Sequence, residues 1–305
     1  MQQRLFDKYV NIRFYPNNAV VEGNAGPRQT VKSILTPAQG PKPDIRLSGT
    51  WVTQTIVQQM EIRIVNLEVD EPLSDFGTLD KPGYVEIEAG YVGQTHTSIK
   101  GHIINSFQET PGPDGITTFQ MLIGFFNQWT TATLSKNYPK GTSLRAILSD
   151  VCAALGLNLV YCPSLSPNLN VQRSLSHNGL AKDLLDKLKM MFVSYDESAL
   201  FDGLQLLPFG DSLLAFAGQA GTGIAWQLDY VSNASHKASG FDIQAPWVPS
   251  IRPGDTVIVN PAFFRQDLGG STVSPGNRFV CYLLEFEFCT VDETNMMTIL
   301  TVGAQ

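Results

Sequence analysis

Charge is scarce in this chain of 305 residues: Asp, Glu, Lys and Arg make up only 16%, against about a quarter in a typical soluble domain. Gln, Asn, Ser and Thr fill the shortfall, which suits surfaces that meet other protein. Bases are scarcer than acids, 21 against 28, giving a formal net charge of −7. That balance excludes a chain gripping DNA or RNA over its whole surface, because phosphate demands the opposite sign. Histidine and cysteine number four each. No CxxC and no Cys/His ligand spacing occurs, so neither a redox motif nor a metal site is expected. Cys281 and Cys289 fall on one expected strand, about 26 Å apart at ~3.3 Å per residue, too far to bridge. Cys152 lies on the apolar face of an expected helix, and Cys162 comes soon after it. Free, mostly buried thiols are the expectation. Long apolar runs are missing too. Met121–Phe126 falls far short of the roughly 18 residues of a membrane span, and Met1–Asn11 lacks the apolar stretch of a signal peptide. A soluble protein made in a cytoplasm, without stable membrane association, is expected.

The acidity is uneven. From Ser194 onward there are 12 acids and 4 bases, whereas the first 193 residues hold 16 acids and 17 bases. The excess negative charge therefore belongs to the C-terminal third.

Residues 1–135 read as β-structure. Ile45–Leu47, Gln54–Leu67, Tyr84–Tyr91, His96–Phe107 and Ile116–Phe125 are rich in β-branched and aromatic residues and bounded by Gly, Pro and Asp turns. Pro111–Gly115 reads as a hairpin tip and Asn24–Pro43 as a long loop. Residues 136–215 read as a small α+β unit. Leu144, Ile147, Leu148, Val151, Cys152 and Leu155 recur at helical spacing between a Thr142/Ser143 N-cap and a C-terminal Gly156. A short strand over Leu157–Tyr161 follows, then a second helix from about Asn178 to Met190, with strands over Phe192–Asp196 and Gly203–Leu207. Residues 216–305 return to β-structure: Gly240–Ala245, Thr256–Asn260, Phe279–Cys289 and Asn295–Val302, with an exposed loop over Pro261–Asn277. The expected fold is α+β, mainly antiparallel β, with two small β-barrel domains (1–135 and 216–305) joined by a mixed α/β region (136–215).

Few constellations point to chemistry. Glu86 and Glu88, like Glu285 and Glu287, are two apart on a strand and so share a face. A glycosidase-like pair is one reading; catalytic carboxylates, however, face each other across a cleft, so a solvated or channel-facing strand is favoured. His96 and His102 share a face but lie about 20 Å apart, too far for one metal. His177 is placed at a helix start, and no metal or triad role is expected for it or for His236. Gly218–Gly223 opens no helix and carries no P-loop lysine, so it reads as a flexible turn. No GxSxG, HExxH or EF-hand pattern occurs. Bases and aromatics do not interleave as a single-strand stacking platform would need.

Three segments, in order, carry a resemblance. The first is Tyr84-Val85-Glu86-Ile87-Glu88-Ala89-Gly90-Tyr91 followed by Ile99-Lys100-Gly101-His102-Ile103. The second is Gly141-Thr142-Ser143-Leu144-Arg145-Ala146-Ile147-Leu148, leading into a helix that ends Leu155-Gly156-Leu157. The third is Ile251-Arg252-Pro253-Gly254-Asp255-Thr256-Val257-Ile258-Val259. This order resembles the baseplate hub proteins of contractile-tailed bacteriophages. The resemblance implies two barrel domains per chain and a homotrimer whose six barrels match a hexameric tail tube to a trimeric spike. It implies tail tube protein, spike protein and other baseplate proteins as partners, DNA only in transit, and a place in the virion after assembly in the host cytoplasm. No catalytic, cofactor or metal residue is implied. A net-acidic C-terminal third suits a channel that DNA slides through. The alternatives are a β-rich cell-envelope hydrolase built on Glu86/Glu88, and another tail-tube adaptor or terminator with six subunits.

Overall fold

The computed structural model describes residues 8–15, 27, 29–32, 43–53, 57–67, 76, 78, 83–91, 97–110, 114–124, 126–192, 203–218, 220–228, 231, 233–237, 240–259, 278–291 and 295–304. The protein is α+β and mainly antiparallel β. Its N-terminal strands are β1 (Lys8–Tyr15), β2 (Gln29–Lys32), β3 (Ile45–Val52), β4 (Gln58–Val65), β5 (Gly83–Tyr91), β6 (Thr97–Glu109) and β7 (Ile116–Ile123). The C-terminal strands are β13 (Ala225–Leu228), β14 (Asn233–Lys237), β15 (Gly240–Ala245), β16 (Thr256–Val259), β17 (Arg278–Cys289) and β18 (Asn295–Ala304). These thirteen strands form one sheet, ordered β14-β15-β18-β17-β3-β4-β7-β6-β5-β1-β2, with β16 also on β17 and β13 parallel to β16. The junction is β3 against β17, antiparallel from Leu283↔Val52 to Cys289↔Arg46. The two segments expected as separate barrels thus share a sheet edge and one apolar core, in which Trp51, Phe119, Trp247 and Phe286 are buried together. The Trp247 ring stacks on Phe286 at 4.6 Å between centroids, and Trp51 meets Phe286 edge-on at 4.7 Å. Burial of each such side chain contributes about 1.5–3 kcal/mol.

Between the two runs of strands sits a second core. It is built by α1 (Phe126–Thr131), α2 (Leu144–Leu155) and α3 (Ala181–Met191), with the hairpin of β8 (Thr133–Tyr138) and β10 (Leu175–Leu180) and the sheet β11-β12-β9. In that sheet β9 is Asn158–Tyr161, β11 Leu204–Phe209 and β12 Ser212–Ala217. The second core is the part where local sequence rules act most directly. Ser143 Oγ accepts from the Ala146 amide at 3.2 Å, the six apolar residues of α2 are all buried, and Gly156 ends the helix at φ 67°. All four cysteines are free and buried, and burial pushes the Cys162 thiol up to about 11 and that of Cys152 to about 12.

Several boundaries differ from the sequence reading. β1 was not expected, and β2 lies inside the expected loop 24–43. The second helix begins at Ala181 rather than Asn178, because Asn178, Gly179 and Leu180 pair with Ser135, Leu134 and Thr133 as the end of β10. His177 therefore belongs to a strand: its Nε2–H donates to the Leu180 carbonyl at 2.9 Å and its Nδ1 accepts from Lys187 at 3.3 Å. Phe192 caps α3, and the rest of the expected strand 192–196 lies outside the described residues. So do Pro261–Asn277 and most of the tip Pro111–Gly115.

The Gly218–Gly223 turn is packed into the RPGD turn rather than free. The Thr222 amide donates to the Gly254 carbonyl at 2.8 Å, and the Gly254 amide to Cys281 at 2.7 Å. Asp255, fully buried, accepts from the Thr222 hydroxyl (2.6 Å), the Trp226 indole (3.0 Å) and the Arg252 amide (3.1 Å). Burial raises its carboxyl above the ordinary value, and these donors pull it part of the way back. Gly254 sits at φ +92°, and a Cβ there would lie 2.5 Å from the Phe216 ring. Gly141 has nearly the same φ, +88°, with nothing within 4 Å. Gly254→Ala should therefore cost roughly 2–5 kcal/mol, from backbone strain plus overlap, and Gly141→Ala only about 1–2 from strain alone. Urea midpoints of the two variants against the parent check this ordering.

Candidate functional site

Residues directly opposite one another in a ladder point to the same face, so register alone traces the side of the sheet that is turned away from the core. From β18 to β4 one row runs Thr298, Glu285, Thr50 and Gln59. It continues through Leu122, His102, Tyr84 and Tyr15 on β7, β6, β5 and β1. A parallel row runs Met296, Glu287, Ser48, Glu61 and Gln120. The alternating neighbours Leu284, Phe286, Gly49, Met60 and Met121 form the core face. β18, β17, β3, β4 and β7 thus each contribute a Ser, Thr, Gln or Glu to this face, and the expected same-face placement of Glu285 and Glu287 holds.

Two regions of this face differ electrostatically. At the β1–β5–β6 end the charges are internally paired. Arg13 bridges Glu88 at 2.7 Å and Glu86 at 3.4 Å, and Lys100 lies 3.7 Å from Glu86. Asn11 donates to Glu88 at 2.9 Å, Tyr15 to Glu86 at 3.0 Å and Tyr84 to Glu86 at 3.3 Å. The Asn11 amide, opposed by partial burial and aided by Arg13 and Tyr9, holds the Glu88 carboxyl below its ordinary range. Desolvation raises Tyr84 above 10.0, as do the neighbouring carboxylates. This is the chemistry of a neutral, cross-linked strand surface. A glycosidase acid needs a raised carboxyl, and Glu88 moves the other way.

The middle of the face is an open groove of about 930 Å³ across β18, β17, β3, β4, β7 and β6. Its lining includes Glu61, Glu285 and Glu287 and no Lys, Arg or His. Glu61 lies 4.0 Å from Arg63 Nε, whereas no ion pair reaches Glu285 or Glu287 among the described residues. The two sit about 7 Å apart along β17, and Glu287 is about 10 Å from Glu61, two strands away.

The two histidines whose side chains are described do not converge. His102 donates from Nδ1 to the Gly124 carbonyl at 2.6 Å, and burial lowers its pKa; His177 lies in the β8–β10 hairpin. His96 and the side chain of His236 lie outside the described residues. Among the described residues no His, Cys, Asp and Glu group is arranged to hold a metal ion, and no helix is long and apolar enough to cross a membrane. Arg13, Gln59, Gln120 and Thr298 were not singled out from the sequence. The alternation Glu61-Ile62-Arg63-Ile64 marks a half-buried strand, as β4 is, but by itself names no site.

Comparison with solved structures gives the fold a context. Over 97% of both chains it matches the 43 kDa tail protein of prophage MuSo2 from Shewanella oneidensis, with a TM-score of 0.59 and 9% identity. A tail protein of Neisseria meningitidis MC58 matches over 98% of this chain and 97% of its own, with a TM-score of 0.56 and 9% identity. An E. coli component of the type VI secretion system, described as structurally similar to the T4 bacteriophage tail proteins gp27 and gp5, matches over 88% of this chain and 75% of its own. Its TM-score is 0.54 and its identity 9%. The chain therefore has a fold found in phage tail proteins. No protein-family model and no curated protein matches the sequence.

Glu88 gives this surface a pH signature. Its folded pKa lies below the ordinary 4.5, so the unfolded chain binds the proton first on acidification. Its contribution is complete above about pH 4.5 and is lost as pH falls through the folded value. The stability difference between the parent and Glu88→Gln should hold constant from pH 7 to about pH 5 and shrink as pH falls from there to 3, as read by urea unfolding at each pH.

Proposed function

We propose that the chain is the structural hub of a contractile-tail baseplate. In this reading three copies form a pseudo-sixfold ring that joins the hexameric tail tube to the trimeric spike and lets DNA pass. The observation that carries it is the fold match over 97% of both chains to a phage tail protein. Two features add support. The middle of the polar sheet face, lined by Glu61, Glu285 and Glu287 and by no base, suits the wall of a channel from which phosphate is repelled. Among the described residues the main path of the sheet ends in unlike strands, β2 and β14, and head-to-tail contact of unlike surfaces is the kind that closes a ring.

The division into 1–135, 136–215 and 216–305 belongs to this proposal, with the outer parts as the two tube-like units of each copy and the helical core as their connector. Tail tube protein, spike protein and other baseplate proteins are the partners, DNA is met only in transit, and the site of action is the virion. No catalytic role is assigned, since Glu86 and Glu88 are tied to Arg13.

Light scattering with negative-stain images of the same peak tests the reading. Three copies of the 33.5 kDa chain, alone or with its tube and spike partners, should give a ring containing about 100 kDa of this protein. A six-copy ring would replace the hub by a tube adaptor. The channel wall has its own test. Glu285→Lys with Glu287→Lys should leave the ring's mass unchanged but make it retain duplex DNA at 150 mM salt, which the parent does not, as read by filter binding.

A further inference from the structure

We infer that the acidic groove across β17, β3, β4 and β7 is a docking site for an extended, cationic polypeptide segment of a partner protein. It rests on the channel-wall reading, in which the face is open to the lumen and a peptide can lie along it before nucleic acid passes. The groove itself belongs to a single chain.

Charge complementarity commits the occupant. Glu285 and Glu287 are exposed and carry no ion pair among the described residues, Glu61 is held only loosely by Arg63, and the lining contributes no base. Nucleic acid is repelled by such a surface, while Lys or Arg is attracted. The spacing favours an extended chain. Residues i and i+2 of a strand are about 7 Å apart, the same interval as Glu285 to Glu287, so alternate cations can meet both.

The uncharged lining selects polypeptide over a simple polycation. Gln59 and Gln120, with Ser48, Thr50 and Thr298, offer donors and acceptors together. A peptide backbone presents both; a polyamine presents donors only. Met296, 39% exposed, and Ile104 supply apolar surface where the aliphatic stem of a Lys or Arg can lie.

The probe is a fluorescein-labelled (Lys-Thr)6 peptide, whose cations recur at i and i+2, read by fluorescence anisotropy at 50 mM salt. The parent protein should bind it, and Glu285→Gln with Glu287→Gln should weaken binding about tenfold, as two lost ion pairs would. Asp183→Asn with Asp186→Asn, two acids on α3 outside the groove, should change it by less than about twofold. Unfolding midpoints near the parent's confirm that both variants are folded. The (Glu-Thr)6 peptide should not bind, and spermine at equal charge should not displace the probe. Equal weakening by both pairs of substitutions, displacement by spermine, or no binding by the parent overturns the inference. A three-copy ring that does not bind the probe removes this inference and leaves the hub reading standing; groove-specific binding by a chain that forms no ring with its partners does the reverse.

Discussion

The pairing of β3 with β17 is the contact on which the architecture rests. It joins Ile45–Val52 to the stretch Leu283–Cys289, residues more than two hundred positions apart, through seven register pairs. Without it the N-terminal strands would end in an open edge at β3, and the C-terminal strands would have no wall for Phe286 and Trp247. The same pairing aligns the two halves' polar faces, placing Thr50 beside Glu285 and Ser48 beside Glu287. Other long-range bonds fasten the junction. Lys8 Nζ donates to the Cys289 carbonyl at 2.6 Å, the Ile45 amide donates to Thr290 Oγ1 at 2.9 Å, and Tyr91 donates to the Trp247 carbonyl at 3.1 Å.

The charge imbalance of the sequence takes a clearer form in the fold. At the β1–β5–β6 end the carboxylates of Glu86 and Glu88 are answered by Arg13 and Lys100 on neighbouring strands. On β17 the carboxylates have Thr50, Ser48, Thr298 and Met296 opposite them. One sheet thus carries a self-neutralised region and a region with negative charge left over, and only the second has charge to offer a partner.

Legibility in the sequence followed how local each cause was. The α2 helix was readable because its cap, period and terminating glycine all lie within fourteen consecutive residues, Ser143–Gly156. The central β-strands were readable for the same reason, alternation being a property of a single strand. β1 was missed because it buries Lys8 and Asn11 beside Val10 and Ile12, so its pattern resembles neither a surface strand nor a core one. β12 was missed because Leu213, Leu214, Ala215 and Phe216 are all buried, which erases alternation. The start of α3 was misplaced because β8, forty residues earlier, claims Asn178–Leu180 for a hairpin. The same-face placement of Glu285 and Glu287 could be read along β17; the groove could not, since it needs the register of six strands. The resemblance to baseplate hubs pointed to a fold that the comparisons also find in tail proteins.

The β3–β17 junction also carries a cost in time. Long-range pairing must overcome loop-closure entropy before any contact rewards it, so a sheet closed by the two ends of the chain is intrinsically slow to complete. During synthesis the delay is longer still. At roughly 5–20 residues per second, the ribosome needs on the order of ten to fifty seconds to travel from β3 to β17. Throughout that interval β3 offers an unpaired row of amides and carbonyls to whatever strand comes near, including the β3 of a neighbouring nascent chain. The strand that unifies the finished molecule is thus an adhesive edge in the unfinished one.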